Sequence, residues 1–404
     1  MANKIIVCQL GARHRYLIPK VICDSGMLYR LYTDSTAYSF MGKLSKVLCS
    51  LFSMPRAVQR LAKRKPLLPL DKIYSTDKFF FAEQWISLLK KDAVSAMFHY
   101  YDGIGKQCVK WGIGEADCIY NMHIENVEFL RYAKSKGLKV VIDIYEVPTA
   151  FRNLIAELDG HPEYDCLLYR KEQYLAHDAV IVKYMDEVLQ LADYYTIPSQ
   201  FVVKSMAEFA NFDPNKVLYL PYASSITVEK YAYKPQNHRL IWVGNDAVRK
   251  GLVYCAKAAS ILKEKYKDLD FRIIGVVPEE LKNSHNFSDL NFLGVLDKSQ
   301  LQEEYRSAEA YVFPTLYEGF AGTVIEAASC GCPIITTECA GTDVEEFPAI
   351  YIPTKDVEAI VEAVIRIFEN RELRNDLSKR VYEYSANLSP DTYKTKLIEY
   401  LKKI

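Results

Sequence analysis

Residues 310–337 read AYVFPTLYEGFAGTVIEAASCGCPIITT. The apolar run AYVFP predicts a buried strand, GTVIEAASCG a helix closed by Gly331, and PIITT a second strand. A strand, turn, helix and strand in that order is the repeating unit of a parallel sheet. The turn TLYEGFAG lies at the carboxyl end of its strand, the edge where open α/β sheets collect ligands. Unpaired N–H groups and the positive end of the helix dipole favour a phosphate there, and Gly319 and Gly322 let the backbone come close to it. Glu326 sits about one turn into the helix, displaced along its axis by the ~1.5 Å rise per residue. From there its carboxylate can accept hydrogen bonds from two adjacent hydroxyls, as on a ribose. Glu318, before the turn, can do the same for hydroxyls beyond the other end of a diphosphate. A ligand with hydroxyl-rich ends and a charged middle, such as a nucleotide sugar, fits both acids. The plainer alternative is a helix start with stabilising acids and a packing glycine.

The same alternation runs outward in both directions. HRLIWVG (238–244), DFRIIG (270–275) and LNFLG (290–294) predict strands, with helices over 250–266 and 298–308 between them. In the first half KIIVCQL (4–10), DCIYNM (117–122), KVVIDI (139–144) and DAVIVK (178–183) read as strands. ENVEFLRYAKSKG (125–137) reads as a helix stopped by Gly137. VLYLPYASSITVEKYAYKPQ (217–236) has two prolines and no helical period. The expected fold class is therefore α/β. A Rossmann-like domain over 1–215 and a second over 237–385 are joined by 216–236, and a C-terminal helix, 386–404, packs back on the first domain.

Bulk composition narrows the function classes. Of 404 residues, 51 are Lys or Arg and 51 Asp or Glu, so no overall positive charge points to nucleic acid. The ten cysteines have no repeating spacing, and Cys330 and Cys332 lack the second pair that a zinc site needs. That usage suggests a reducing compartment. The start, MANKIIVCQLGARHRY, has too short an apolar run for a signal peptide, and no apolar stretch reaches membrane-spanning length. The expected location is cytoplasmic, with peripheral contact at the inner membrane face left open. Asp268 and Asp270 form a D-x-D in a turn, where acids are most often simply solvated. No G-x-G-x-x-G follows the first strand, which removes support for a nicotinamide enzyme.

Taken whole, 313–337 resembles the signature of the retaining nucleotide-sugar glycosyltransferases of family 4, whose pattern runs roughly E-G-F-G-x-P-x-x-E-A and then C-G-x-P-V. The resemblance implies the GT-B fold, in which two Rossmann-like parallel-sheet domains face each other across a cleft. It also implies a sugar transferred from a nucleoside diphosphate sugar to a glycan or lipid-linked acceptor, in cell-surface polysaccharide biosynthesis, without cofactor or metal. LIWVGNDAVRKGL is similar to the family's strand, glycine turn and Lys-Gly, so Gly244, Asn245 and Lys250 fall on donor-site positions. Asn245 stands where the family usually has arginine, and Arg249 is expected to replace it. With Glu318, Arg249 and Lys250 form the expected catalytic set. Gly319, Phe320, Ala321, Gly322, Thr323 and Glu326 are the expected donor site, with amides of residues 320–323 on the diphosphate. Val295 and Leu296 either flank the base or belong to the core.

The first domain matches less well. Gly11 follows the first strand in a basic loop with Arg13, His14 and Arg15, on the acceptor side. Many relatives have a histidine after the strand equivalent to KVVIDI; Tyr145 and then Glu146 stand here. His123 is either a cleft group or an ordinary loop residue. Residues 43–65, KLSKVLCSLFSMPRAVQRLAKRK, hold basic residues and no acid, with apolar positions at roughly helical spacing. Either they form a solvated helix packed on the sheet, or a surface for anionic lipid or a lipid-diphosphate acceptor. An epimerase on the same fold and a non-catalytic nucleotide-sugar scaffold are the rival readings.

Overall fold

The computed structural model describes residues 3–79, 93–122, 124, 126–226, 228 and 230–404. The first sheet contains β1 (Ile5–Cys8), β2 (Leu28–Thr33), β3 (Ile73–Ser75), β4 (Cys118–Asn121), β5 (Lys139–Asp143), β6 (Tyr194–Ile197) and β7 (Val217–Tyr219). Their order is β3-β2-β1-β4-β5-β6-β7. The second sheet contains β8 (Arg239–Val243), β9 (Asp270–Ile274), β10 (Leu290–Gly294), β11 (Ala310–Phe313), β12 (Ile334–Thr336) and β13 (Ile350–Tyr351), in the order β10-β9-β8-β11-β12-β13. All the pairings are parallel. Helices cover both faces of such sheets, so their strands read as unbroken apolar runs; all four residues of β1 and of β11 are buried.

This is the two-domain α/β arrangement expected from the sequence. Each sheet reverses its order once, at β1/β4 in the first and β8/β11 in the second. Loops diverge at such a reversal and leave a crevice beyond the strand ends. The crevice of the second sheet lies between the loop after β8, which ends at Lys250, and the loop after β11, which carries Glu318.

One predicted strand is wrong. Residues 178–183 lie inside the helix Arg170–Leu191. Val180, Ile181, Tyr184, Met185 and Val188 are buried, a helical spacing, while Val182 is 64% exposed. The β-branched run imitates a strand, but packing on one face decides. The strand at that point of the sheet is YYTI, β6. The segment read as a connection also starts with β7, so the first sheet extends to Tyr219.

Tyr393, Leu397 and Leu401 of the helix Pro390–Lys403 share a core with Ile5, Val7, Ile18 and Ile22. Asn3 donates to the Leu401 carbonyl at 3.0 Å and Tyr400 to that of Tyr219 at 3.0 Å. The chain therefore crosses between the domains twice, near 220–236 and near 386–389. The two crossings are bonded to each other, Ser224 N to Leu388 O at 2.9 Å. Residues 154–174 form a further contact, with Leu154, Tyr164 and Leu167 joining the second domain's core. The Tyr164 hydroxyl donates to Ala247 O and accepts from Val253 N, both at 2.9 Å.

Candidate active site

The turn after β11 and the loop after β8 meet in an ion cluster. Lys250 Nζ donates to Glu318 Oε1 at 2.7 Å, and Arg249 Nη1 pairs with Oε2 at 2.5 Å. Arg249 Nη1 also donates to the Tyr317 carbonyl at 3.0 Å. Asp246 faces Arg249 and accepts from Arg170 at 3.0 Å. Burial alone would push the Glu318 carboxyl up, but Lys250 and Arg249 more than reverse this and hold it below the ordinary range. Burial lowers Lys250, and Glu318 opposes that shift. The sign is what matters for function. Lys250, Arg249 and Arg170 face two carboxylates, Glu318 and Asp246, so one cation is in excess and a further anion can meet it.

Glycine sets this geometry at two points. A Cβ on Gly244 would lie 2.4 Å from Lys250 Cδ, so the bare backbone makes room for the lysine stem. A Cβ on Gly319 would lie 1.7 Å from the Tyr145 carbonyl oxygen, across the cleft in the first domain. Ser199 donates to the Gly319 carbonyl at 2.6 Å from that same domain. Tyr145, Glu146, Phe151 and Tyr174 on one side, with Arg249, Glu318 and Phe320 on the other, line a cavity of 280 Å³.

Helix Gly322–Ser329 starts two residues after Phe320, where this turn lines the cavity. Its geometry leaves the N–H groups of Gly322 and Thr323 without intrahelical acceptors. The expectation for the amides of 320–323 needs one correction: Ala321 N donates to Ala340 O at 2.9 Å, and Ala321 is buried. Thr323 Oγ1 accepts from the Tyr311 hydroxyl at 2.8 Å, which fixes the first turn against β11. Glu326 Oε1 accepts a hydrogen bond from the Ser225 hydroxyl of the first interdomain crossing, and Lys298 Nζ donates to Ser225 O at 2.6 Å. The carboxylate thus already receives a hydroxyl. Asn245 Oδ1 accepts from Val276 N at 3.0 Å and braces the loops after β8 and β9, while Arg249 occupies the cleft. Val295 is 69% exposed beyond β10, and Leu296 packs on the second core.

On the first domain, Gly11 has φ +65 and donates to Asp34 Oδ1 at 2.9 Å. His14, Arg15 and Tyr16 follow with φ of 46, 53 and 63, three non-glycine residues in the left-handed region. Such backbone costs on the order of 1–3 kcal/mol per residue and concentrates at functional sites. His14 and Arg15 are exposed, and the His14 ring lies 4.5 Å from that of Tyr222. His123 lies outside the described residues.

Arg13 is the residue that sequence reasoning underused. Its guanidinium lies 3.1 Å from the centre of the Tyr145 ring, and its charge also acts on Glu146 and on buried Asp143. Burial raises Asp143 to about 6 against the opposing charge of Arg13. The available signal was the basic run Arg13-His14-Arg15; its stacking on a residue far along the chain had none. Asp268 and Asp270 are structural, bonded to His238 at 2.8 Å and to Arg239 and Arg272 at 3.1 and 2.7 Å, at the strand ends opposite the cleft. Among the described residues, no cluster of three or more His, Cys, Asp or Glu has a metal-holding arrangement.

Residues 237–370 match the family model described as glycosyl transferases group 1. An uncharacterized glycosyltransferase of Haemophilus influenzae is 26% identical over 204 residues, 48% of this chain and 56% of that protein. The N,N'-diacetylbacillosaminyl-diphospho-undecaprenol alpha-1,3-N-acetylgalactosaminyltransferase of Campylobacter jejuni is 26% identical over 156 residues, 36% of this chain and 40% of that protein. The chain thus spans about half the length, or less, of these curated relatives. Over nearly full length the fold is similar to sucrose-phosphate synthase from Thermosynechococcus elongatus, with TM-score 0.61, 14% identity and coverage of 99% and 98%. It is also similar to Anabaena Alr3699/HepE in complex with UDP and glucose, with TM-score 0.62, 10% identity and coverage of 100% of both chains. The architecture is the GT-B fold, two parallel-sheet α/β domains facing each other. The match to the group 1 glycosyl transferases falls within the second domain.

Proposed function

We propose that this protein transfers a sugar from a nucleoside diphosphate sugar to a glycan or lipid-linked acceptor, with retention at the anomeric carbon and without a metal ion. The observation that carries the reading is the placement of Lys250 and Arg249 on Glu318 at the order reversal of the second sheet, where Arg249 and Glu318 line a cavity that residues of the first domain close. A diphosphate entering there competes with Glu318 for both cations. Lys250 and Arg249 then face the leaving group, together with the Gly322 and Thr323 amides, and Glu318 is released toward the sugar hydroxyls. Glu326 exchanges the Ser225 hydroxyl for those of the ribose.

In the reaction the bond from the anomeric carbon to the diphosphate oxygen breaks, and the acceptor oxygen bonds that carbon on the same face. The acceptor proton passes to the departing phosphate. Negative charge grows on the diphosphate throughout, so fixed cations lower the barrier without a side-chain nucleophile. The role in cell-surface polysaccharide synthesis is supported by relatives named for diphosphoundecaprenol acceptors and for capsular polysaccharide biosynthesis.

The test is a panel of UDP-, GDP-, ADP- and dTDP-sugars, screened by thermal shift and then by turnover with and without bacterial lipid extract. A ligand that binds only the native state raises the melting temperature. Acceptor-dependent release of nucleoside diphosphate that persists in EDTA supports the proposal. Isomerised donor without acceptor would make the chain an epimerase, and binding without turnover a scaffold.

A further inference from the structure

Helix Phe40–Leu51 presents its amphipathic pattern outward. Its buried residues are Gly42 and Ser45, the small polar side. A Cβ on Gly42 would lie 1.9 Å from the Thr36 carbonyl oxygen, so the helix rests directly on the loop that precedes it. At about 100° per residue, Phe40, Leu44, Val47 and Leu51 share one face, opposite Gly42 and Ser45. They are 75%, 39%, 55% and 66% exposed, and Phe52 beyond them is 64% exposed. A contiguous apolar face of this kind on a soluble surface marks an interaction site.

The charges carried by residues 43–65 have one sign. Lys43 lies on the flank of this stripe, and Lys46, Arg60, Lys63 and Lys65 belong to the same two-helix unit, which includes the helix Arg56–Lys63; no acid occurs in 43–65. Asp77 accepts from Ser39 Oγ and Met41 N at the start of the helix, so its charge is taken up by the helix N-terminus. An apolar stripe followed by a segment whose side chains carry only positive charge complements the interface of an anionic bilayer, where the stripe enters the acyl boundary and ammonium groups stay among headgroups. A second copy of this chain is a poorer occupant, because a two-fold contact would place the same cations face to face.

The unit is wired to the cleft. Arg64, at its end, donates to Asp34 Oδ2 at 2.8 Å, and Asp34 Oδ1 accepts from Gly11 N at 2.9 Å, at the head of the left-handed turn His14–Tyr16. We propose that the Phe40–Leu51 and Arg56–Lys63 helices seat the protein on an anionic phospholipid surface, with Phe40, Val47, Leu51 and Phe52 inserted, beside the acceptor entrance formed by the Gly11 loop. Only the acceptor clause rests on the transferase reading; the seating does not.

The experiment uses the full chain and vesicles of phosphatidylcholine with or without one third phosphatidylglycerol. Co-sedimentation is expected to favour the anionic vesicles at low salt, and Val47→Ser/Leu51→Ser/Phe52→Ser to lose about tenfold in partitioning. The melting temperature and nucleotide affinity of that variant should stay at the parent values, since these side chains are exposed and outside the donor site. Leu51→Trp reports insertion directly: its emission should shift to the blue on anionic vesicles and be quenched by brominated acyl chains. No binding at low salt, equal binding by the triple-serine variant, or self-association removed by that variant would overturn the seating. Loss of vesicle binding with nucleotide binding intact separates this proposal from the transferase reading, and transfer assays on a soluble acceptor test that reading alone.

Discussion

The Tyr145 carbonyl oxygen occupies the place that a side chain on Gly319 would need, 1.7 Å from the Cβ position. The two domains are thus seated against each other through bare backbone, beside Glu318. Gly319→Ala forces the strand-end loops of β5 and β11 apart, an overpacking cost of ~1–3 kcal/mol. A lower melting temperature and weaker nucleotide binding are the expected result. A variant that melts and binds like the parent would show that this contact does not shape the site.

Removing one cation should cost rate rather than fold. Lys250→Ala leaves Glu318 paired with Arg249, yet the departing diphosphate loses a fixed counter-charge, so kcat falls about 10²–10³-fold, the size found for single donors to a developing anion. Arg249→Ala should do the same if it replaces the usual arginine at position 245. Full activity in Arg249→Ala would return it to a merely structural role.

Glu318→Gln separates the two partners the cations can have. It leaves Lys250 without its ion-pair partner and Arg249 with Asp246 alone, and the free protein should melt lower than the parent. A nucleoside diphosphate supplies the lost charge, so its stabilising shift should be larger in Glu318→Gln. An equal or smaller shift would mean that the diphosphate does not reach these cations.

Glu326→Ala should weaken free nucleoside diphosphate binding by ~1.5–3 kcal/mol, the range for a hydrogen bond to a charged group. Ser225→Ala should strengthen it, because the hydroxyl that occupies Glu326 is gone. Calorimetry on both variants checks the assignment, and unchanged affinity in both would remove it.

Asp143 gives a pH signature. Its carboxyl is raised by burial from 3.8 to about 6, so between those values the folded protein holds a proton that the unfolded chain has released. Stability therefore falls as pH rises through that window, by at most ~3 kcal/mol at 1.36 kcal/mol per unit. Asp143→Asn should flatten this component. Melting curves from pH 4 to 7 in both proteins make the comparison, and identical slopes would show Asp143 ionising at its ordinary value.

The second domain was legible because its strands are short apolar runs with turn chemistry between them, and because 318–326 packs acids, glycines and a helix start into nine residues. The ion cluster was legible only in parts. Glu318 lies 68 residues from Lys250, and what joins them is the adjacency of β8 and β11, a property of strand order rather than of either segment. The first domain hid more. In β2, LYRLYT, an arginine interrupts the apolar run, and in 178–183 a β-branched run sits on the buried side of a long helix. The contact of Arg13 with Tyr145 spans the sheet and has no trace in local pattern.

The bond from Ser224 to Leu388 places the two interdomain crossings side by side. A body held by one flexible tether can turn about any axis, whereas one held at two neighbouring points swings about the line through them. The covalent links alone would therefore allow turning about that one line, and the packing of residues 154–174 into the second core, with the close approach of Tyr145 to Gly319, opposes even that rotation.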